Sequence, residues 1–146
     1  MDAGEEIESY FPGLRGKDWR LTSQRGTQYN CIAWAAEDTD RWWWPDAMGQ
    51  AYWPPDAPRE ETLDAFVRAY GLQGYSERSD ATVEPLTQKI AIYTDRNGKP
   101  THAARQLPDG WWASKLGPSI DIEHELHALD GPKYGAVGVI LARPVR

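Results

Sequence analysis

The stretch that decides the fold is residues 89–115, KIAIYTDRNGKPTHAARQLPDGWWASK. It contains three runs with strand-forming residues, and polar clusters with Gly or Pro separate them, as is typical of strands joined by turns. Asn97-Gly98 is a hairpin signal between the first two runs. The predicted strands are Lys89–Tyr93, Thr101–Leu107 and Trp111–Lys115, with turns at residues 95–99 and 108–110.

The chain after these strands supplies one more strand. The apolar run Gly135–Arg143 is long enough to be a central strand, and its lack of polar residues predicts burial on both faces. Residues 123–129 are predicted to form one or two helical turns. In that reading Lys115 lies at a strand edge, Asp121 caps the helical turns and His124 is on the surface; alternatively, residues 121–124 form a polar cluster under the sheet.

Two helices are predicted before the strands. Residues 31–38 have apolar side chains at helical spacing, with Asn30 or Thr27 as the N-cap. Residues 59–70 have apolar side chains at i, i+3, i+4 and i+7, and Gly71 is expected to stop this helix. Helices followed by an antiparallel sheet predict an α+β fold, and 146 residues fit a single domain, residues 1–146.

The composition predicts an aromatic core. Leu, Ile, Val and Phe make up only about 16% of the residues, below the roughly 20% that, with high net charge, signals disorder. The net charge of −6 is modest, however, and 8 Trp and 7 Tyr replace the missing aliphatic side chains. Each large aromatic buries on the order of 150–250 Å², and each buried indole or phenol needs a hydrogen-bond partner.

The same composition disfavours several partners. The acidic balance argues against nucleic acid, and no apolar run reaches the roughly 18–20 residues of a membrane span. One cysteine cannot make an internal disulfide, and no Cys/His spacing predicts a metal or other cofactor. Because the acidic N-terminus also lacks the charge of a signal peptide, we expect a cytoplasmic protein without a cofactor.

Cys31 is the first candidate for chemistry. It is the only thiol, and it lies in the first turn of a predicted helix, where the helix N-terminus stabilises a thiolate. His102 opens the second strand of the predicted hairpin and could act as its base. The alternative is that Cys31 is a small buried hydrophobic residue. His124 and His127 share a helical face in this interpretation and are expected to be a solvated surface pair.

The strings around these residues resemble an uncharacterised bacterial family with Asn-Cys-x-Ala-Trp-Ala, His-Ala-Ala-Arg, Trp-x-Ser-Lys-Leu-Gly and Asp-Ile-Glu-His motifs. The corresponding segments are residues 30–35, 102–105, 112–117 and 121–124, and the match spans residues 28–143. The order of a helix-start cysteine, a strand histidine and a polar residue on the next strand also resembles the papain-like NlpC/P60 cysteine peptidases.

The second resemblance implies a papain-like fold with N-terminal helices packed on a small antiparallel sheet. It also implies a catalytic set of Cys31 as nucleophile, His102 as base and Ser114 as the group that orients His102, with Asp121 or Asn30 as alternatives to Ser114. Ser114 departs from the His, Asn or Asp usual at that place.

The oxyanion of such a reaction needs hydrogen-bond donors. The backbone N–H of Cys31, with Gln28 or Asn30, is the expected source. Trp34, Trp43 and Trp53 are candidate walls of a substrate cleft, although packing in the core is the favoured interpretation of the tryptophans.

Three functions remain open at this point. The first is a papain-like cysteine hydrolase or acyl-transfer enzyme that cleaves an amide-type bond in a peptide or another amide-bearing substrate. The second is a catalytically inactive binding module on the same scaffold, with a structural buried cysteine. The third is a toxin or immunity-type interaction protein, which nothing in the sequence separates from the other two.

Overall fold

The three strands predicted within residues 89–115 lie at the centre of a seven-stranded antiparallel sheet. The computed structural model describes residues 3–24, 29–116 and 120–145. Along the sheet the strands have the order β1-β6-β5-β4-β3-β7-β2. The elements are α1 (Ala3–Tyr10), a 3₁₀ helix (Pro12–Leu14), β1 (Arg20–Gln24), α2 (Cys31–Ala35), α3 (Leu63–Gly71), β2 (Ser76–Arg78), β3 (Thr87–Thr94), β4 (Pro100–Gln106), β5 (Trp112–Leu116), β6 (Ile120–His124), a second 3₁₀ helix (Leu126–Leu129) and β7 (Ala136–Pro144).

Each face of the sheet carries its own core, so the α+β class is confirmed. The core on the α2 and α3 side includes Ile32, Trp43, Trp53, Phe66, Tyr70, Ile90, Ile92, Ala103 and Leu141. The core on the α1 side includes Ile7, Phe11, Leu14, Tyr93, Ala104, Trp112, Leu116, Ile122 and Leu129. Because side chains alternate along a strand, neighbours such as Ala103 and Ala104 belong to different cores. No helix of the described residues has the length and apolar character to cross a membrane.

The aromatic core is confirmed, and its buried tryptophans Trp43 and Trp53 have hydrogen-bond partners. Trp43 and Trp53 are 3% and 4% exposed. Their indole N–H groups donate to the Asp38 carboxylate and to the Pro58 carbonyl oxygen, each at 2.8 Å. Trp42, in contrast, is 45% exposed. The loop of residues 40–58 thus folds its aromatic side chains onto α3, which replaces the missing aliphatic residues.

The second half departs from expectation between residues 120 and 129. The predicted helical turns at residues 123–129 begin too early, because residues 120–124 are the strand β6, paired with β1 and β5. Ile120 and Ile122 both pack in the α1-side core, which fixes the alternation of a strand. Only residues 126–129 form a short 3₁₀ helix.

The helix ends also differ from the predicted ones. α2 stops at Ala35 because Glu37 adopts φ 63° and the N–H of Asp38 bonds to the Ala33 carbonyl oxygen, a Schellman ending. α3 begins after Thr62, whose hydroxyl accepts the N–H of Ala65, and it includes Gly71 rather than stopping before it.

β7 is buried over only part of its length. Residues 140–143 are buried, whereas the half from Ala136 to Val139 alternates between exposed and half-buried. The reason is that β2 pairs only with Ile140–Ala142, so the first half of β7 has β3 as its single described neighbour.

Gly135 is expected to be far less replaceable than Gly98, although both have a φ near 80°. A Cβ on Gly135 would lie 2.0 Å from the Thr94 carbonyl oxygen, whereas one on Gly98 would meet open space. Gly98→Ala should therefore cost about 1 kcal/mol of unfolding free energy, and Gly135→Ala more than about 2 kcal/mol. Urea denaturation measures both, and equal losses would contradict the close approach.

Candidate functional site

The site lies where β4 and β5 separate. Among the described residues the two strands pair at Arg105–Ala113 and Gln106–Trp112, and no pair follows toward the start of β4. Helix α2 packs against both strands here, on the face that carries Ala103. Backbone groups of a strand need other hydrogen-bond partners where no neighbouring strand pairs with them. Side chains can supply those partners at this opening.

Asn30 fixes the helix that presents Cys31. Its side-chain oxygen accepts the N–H groups of Ala33 and Trp43, both at 3.1 Å, and its amide donates to the Trp43 carbonyl oxygen at 2.7 Å. Asn30 is thus the N-cap, as predicted, and it also anchors the tryptophan loop. These contacts use both the oxygen and the nitrogen of the Asn30 side-chain amide, which was expected to support an oxyanion or to orient a base. Gln28, the other expected oxyanion donor, lies outside the described residues.

The Cys31 sulfur lies at the convergence of several donors. The backbone N–H groups of Ala103, Ile32 and Cys31 and the Lys115 ammonium each act to lower the pKa of the thiol. Burial of the sulfur is nevertheless the largest influence, and it raises the pKa of the thiol above its usual value of 9.0. The resting cysteine is therefore a thiol.

Lys115 and Asp121 face this thiol from the sheet. They are register partners on β5 and β6, and they are 1% and 3% exposed. Burial lowers the pKa of Lys115, and the Asp121 carboxylate and the Cys31 thiolate act in the opposite direction. The Lys115 ammonium lies 5.1 Å from the centre of the Tyr29 ring. Lys115 is therefore central in the sheet rather than at its edge, and Asp121 is a strand residue rather than a helix cap.

His102 belongs to the opposite face of β4. Its Nε2 lies 2.9 Å from the Ser114 hydroxyl, which lies 2.7 Å from Nε2 of His124. The His102 ring stacks on Tyr134, with ring centres 4.1 Å apart. Nδ1 of His124 lies 2.7 Å from the carbonyl oxygen of Glu125.

Hydrogen-bond chemistry fixes the tautomers of this chain. A carbonyl oxygen only accepts, so His124 carries its proton on Nδ1 and its Nε2 accepts from Ser114. The Ser114 oxygen then accepts from Nε2–H of His102. Nδ1 of His102 is left as a buried acceptor without a hydrogen-bond partner. Burial lowers the pKa of His102 well below 6.5 and that of His124 to about 4, so both rings are neutral at neutral pH.

The structure thus divides the predicted catalytic set between two faces. It brings His102 and Ser114 together but not Cys31 and His102, because Ala103 faces α2 whereas His102 packs beside Tyr93. His124 is fully buried, and only His127 is at the surface, so the predicted solvated pair is wrong. The alternative prediction of one polar cluster at residues 121–124 is also wrong, because side chains alternate along β6. Asp121 faces α2, and His124 faces the other core.

The tryptophans near Cys31 have mixed positions. Trp43 and Trp53 are core residues, as favoured. Trp34 is half-buried, and the Arg105 guanidinium lies 4.5 Å from its ring centre. In the described part of the chain, no group of three His, Cys, Asp or Glu side chains is arranged to hold a metal ion.

The sequence alone did not lead to the prediction that Lys115 and Asp121 face Cys31. The available signal was strand alternation: Ser114 and Lys115 are neighbours, so a strand that turns Ser114 toward His102 must turn Lys115 away from it. Reading residues 120–124 as a strand would then have paired Lys115 with Asp121.

Fold and site together define a small α+β domain organised around a cysteine at a helix N-terminus. The chain belongs to the family described as Domain of unknown function (DUF7689), whose model matches residues 20–142. Comparison with curated proteins and with solved structures gave no match.

The buried imidazoles predict acid sensitivity. His124 has a pKa of about 4 in the folded protein against 6.5 in an unfolded chain, so the unfolded state binds more protons between these values. Stability is fully present above pH 6.5 and falls as the pH drops toward 4, by about 3 kcal/mol for His124 alone. Denaturation at stepped pH values measures this, and His127→Gln is the surface control. A stability that stays flat between pH 6.5 and 4 would contradict the neutral, buried pair.

Proposed function

We propose that this protein is a papain-like cysteine hydrolase or acyl-transfer enzyme acting on amide-type bonds, with Cys31 as nucleophile and Lys115 as its base. The observation that carries the proposal is the position of Cys31 in the first turn of α2, which packs on β4 and β5, with the buried Lys115 of β5 acting on the thiol. The substrate class is a peptide or another amide-bearing molecule, and no cofactor is needed.

Lys115 suits the role of base because burial lowers its pKa. A lysine with an ordinary pKa is an ammonium ion at neutral pH and cannot take a proton, and desolvation shifts Lys115 toward the neutral amine that can. Asp121 is proposed as the positioning residue, since it lies opposite Lys115 in the strand register and opposes the loss of its charge.

The reaction needs only these groups and water. Lys115 takes the thiol proton as the Cys31 sulfur bonds to the carbonyl carbon, and the backbone N–H of Cys31 stabilises the oxyanion. The resulting ammonium gives its proton to the leaving amine as the C–N bond breaks, which leaves a thioester. Water, or another acceptor nucleophile in an acyl transfer, then attacks the thioester and restores the thiol.

The NlpC/P60 resemblance supports this proposal in part. The order of a helix with an N-terminal cysteine followed by antiparallel strands is as in those peptidases. The position on β4 that faces the cysteine helix is Ala103, however, and Lys115 on the next strand supplies the nitrogen base. A cytoplasmic location belongs to the same proposal.

The second candidate is a binding module with a structural cysteine. It is favoured by the raised pKa of the Cys31 thiol, which burial causes, and by the N–H of Ala103, which acts on the sulfur near the point where β4 leaves β5. In that case the sulfur completes the hydrogen bonding of the sheet and takes no part in a reaction.

Alkylation of Cys31 by iodoacetamide separates the two candidates. Lys115→Met should slow labelling about tenfold near pH 8, because it removes the group that accepts the thiol proton. Lys89→Met is the matched control, since Lys89 is also fully buried but pairs with Glu84, 2.7 Å away. His102→Gln should label within about twofold of the parent rate because His102 faces the other core.

Acyl transfer is tested with p-nitrophenyl acetate as a generic acyl donor. The parent protein should release nitrophenolate in a burst and carry an acetyl group on Cys31 in the mass spectrum, and Lys115→Met should lose the burst. Equal labelling of the parent and Lys115→Met, or a Cys31 that is labelled only after unfolding, would reject the enzyme and leave the binding module.

A further inference from the structure

A wide cleft opens at the other end of α2, away from the thiol. Its volume is about 910 Å³, and Glu37 and Arg143 line it together with Tyr52 and the rim carboxylates Asp40 and Asp56. The lining carries four carboxylates, from Glu37, Asp38, Asp40 and Asp56, against two guanidinium groups, from Arg41 and Arg143.

Arg143 lies at the bottom of the cleft, where a buried charged side chain is unusual. Its side chain is 4% exposed, and its guanidinium lies 4.5 Å from the centre of the Tyr75 ring. One terminal nitrogen donates to the Gln73 carbonyl oxygen at 3.1 Å, and the other pairs with Glu37. The buried Nε has no hydrogen-bond partner among the described residues. The Nε and Nη2 edge, which binds carboxylates through two parallel hydrogen bonds, is thus only half used.

Glu37 pairs its carboxylate with Arg143 although its own backbone conformation is unfavourable. It is the residue just after the α2 C-cap, with φ 63°, where glycine or asparagine is usual. Its side chain is 47% exposed, in contrast to the guanidinium it pairs with. A replaceable carboxylate on a buried guanidinium is the arrangement expected where a ligand's carboxylate takes the same edge.

We propose that this cleft binds the free C-terminal carboxylate of a peptide that ends in a basic residue. The carboxylate takes the Nε and Nη2 edge of Arg143 and displaces Glu37 toward solvent. Asp38 is already engaged by Arg41 and the Trp43 indole, at 2.8 Å each. The exposed Asp40 and Asp56 are therefore the carboxylates that meet the basic side chain.

Isothermal titration of the Cys31→Ser protein with three peptides tests the carboxylate and the basic side chain separately, without cleavage of the probe. The probes are acetyl-Ala-Lys with a free C-terminus, its C-terminal amide, and acetyl-Ala-norleucine with a free C-terminus. The free lysyl acid should bind about tenfold more tightly than the amide, because the bidentate contact is lost. Norleucine should weaken binding about threefold, since exposed charge pairs contribute little.

Glu37→Gln tests the displacement directly. A neutral side chain competes less well for Arg143, so the free acid should bind about fivefold more tightly and the amide should not change. Glu77→Gln, an exposed control on β2, should leave both affinities unchanged. Equal binding of acid and amide, or an unchanged affinity in Glu37→Gln, would overturn the carboxylate site. Equal binding of the lysyl and norleucyl acids would overturn the basic specificity.

Discussion

The separation of β4 from β5 is the constraint on which the rest of the site depends. The strands pair at Arg105–Ala113 and Gln106–Trp112, and beyond these pairs backbone groups in the middle of the protein need other partners. On one face the N–H of Ala103 acts on the Cys31 thiol and lowers its pKa. On the other face the strands are held together by the Ser114 hydroxyl, which bridges two imidazole rings. Two polar clusters therefore lie on opposite faces of the same strands, in a domain whose cores are rich in aromatic side chains.

The aromatic composition explains how so polar a centre is tolerated. Tyrosine and tryptophan fill volume as aliphatic residues do, and their polar tips also tie elements together. The Tyr70 hydroxyl donates to the Ile32 carbonyl oxygen at 2.8 Å and so joins α3 to the helix of Cys31. The Trp43 indole and the Asn30 side chain connect the long loop to both ends of that helix. The few aliphatic side chains are thus supplemented by directional contacts that hold α2 in place.

The sequence predicts the elements better than their faces. The strands on either side of Asn97-Gly98 follow from turn chemistry, which is local. Which side chains of β4 and β5 meet α2 depends on register with distant strands, and a shift of one residue exchanges Ser114 for Lys115. The spacing of His124 and His127 also fits a helix, and only the pairing of β6 with both β1 and β5 decides for a strand. The type of β3, β4 and β5 was therefore predictable, whereas the type of β6 and the face on which His102 lies were not.

Burial affects lysine and histidine differently as bases for the proposed reaction. Removing a cationic acid from water lowers its pKa whichever residue carries it. Histidine starts at 6.5, so burial takes the pKa of His124 to about 4 and leaves a neutral ring that does not take up a second proton at neutral pH. Lysine starts at 10.5, and desolvation lowers the pKa of Lys115 from that higher value, against the opposing influence of Asp121 and Cys31. In a site as enclosed as this one, the stronger base is the one whose two protonation states both remain accessible.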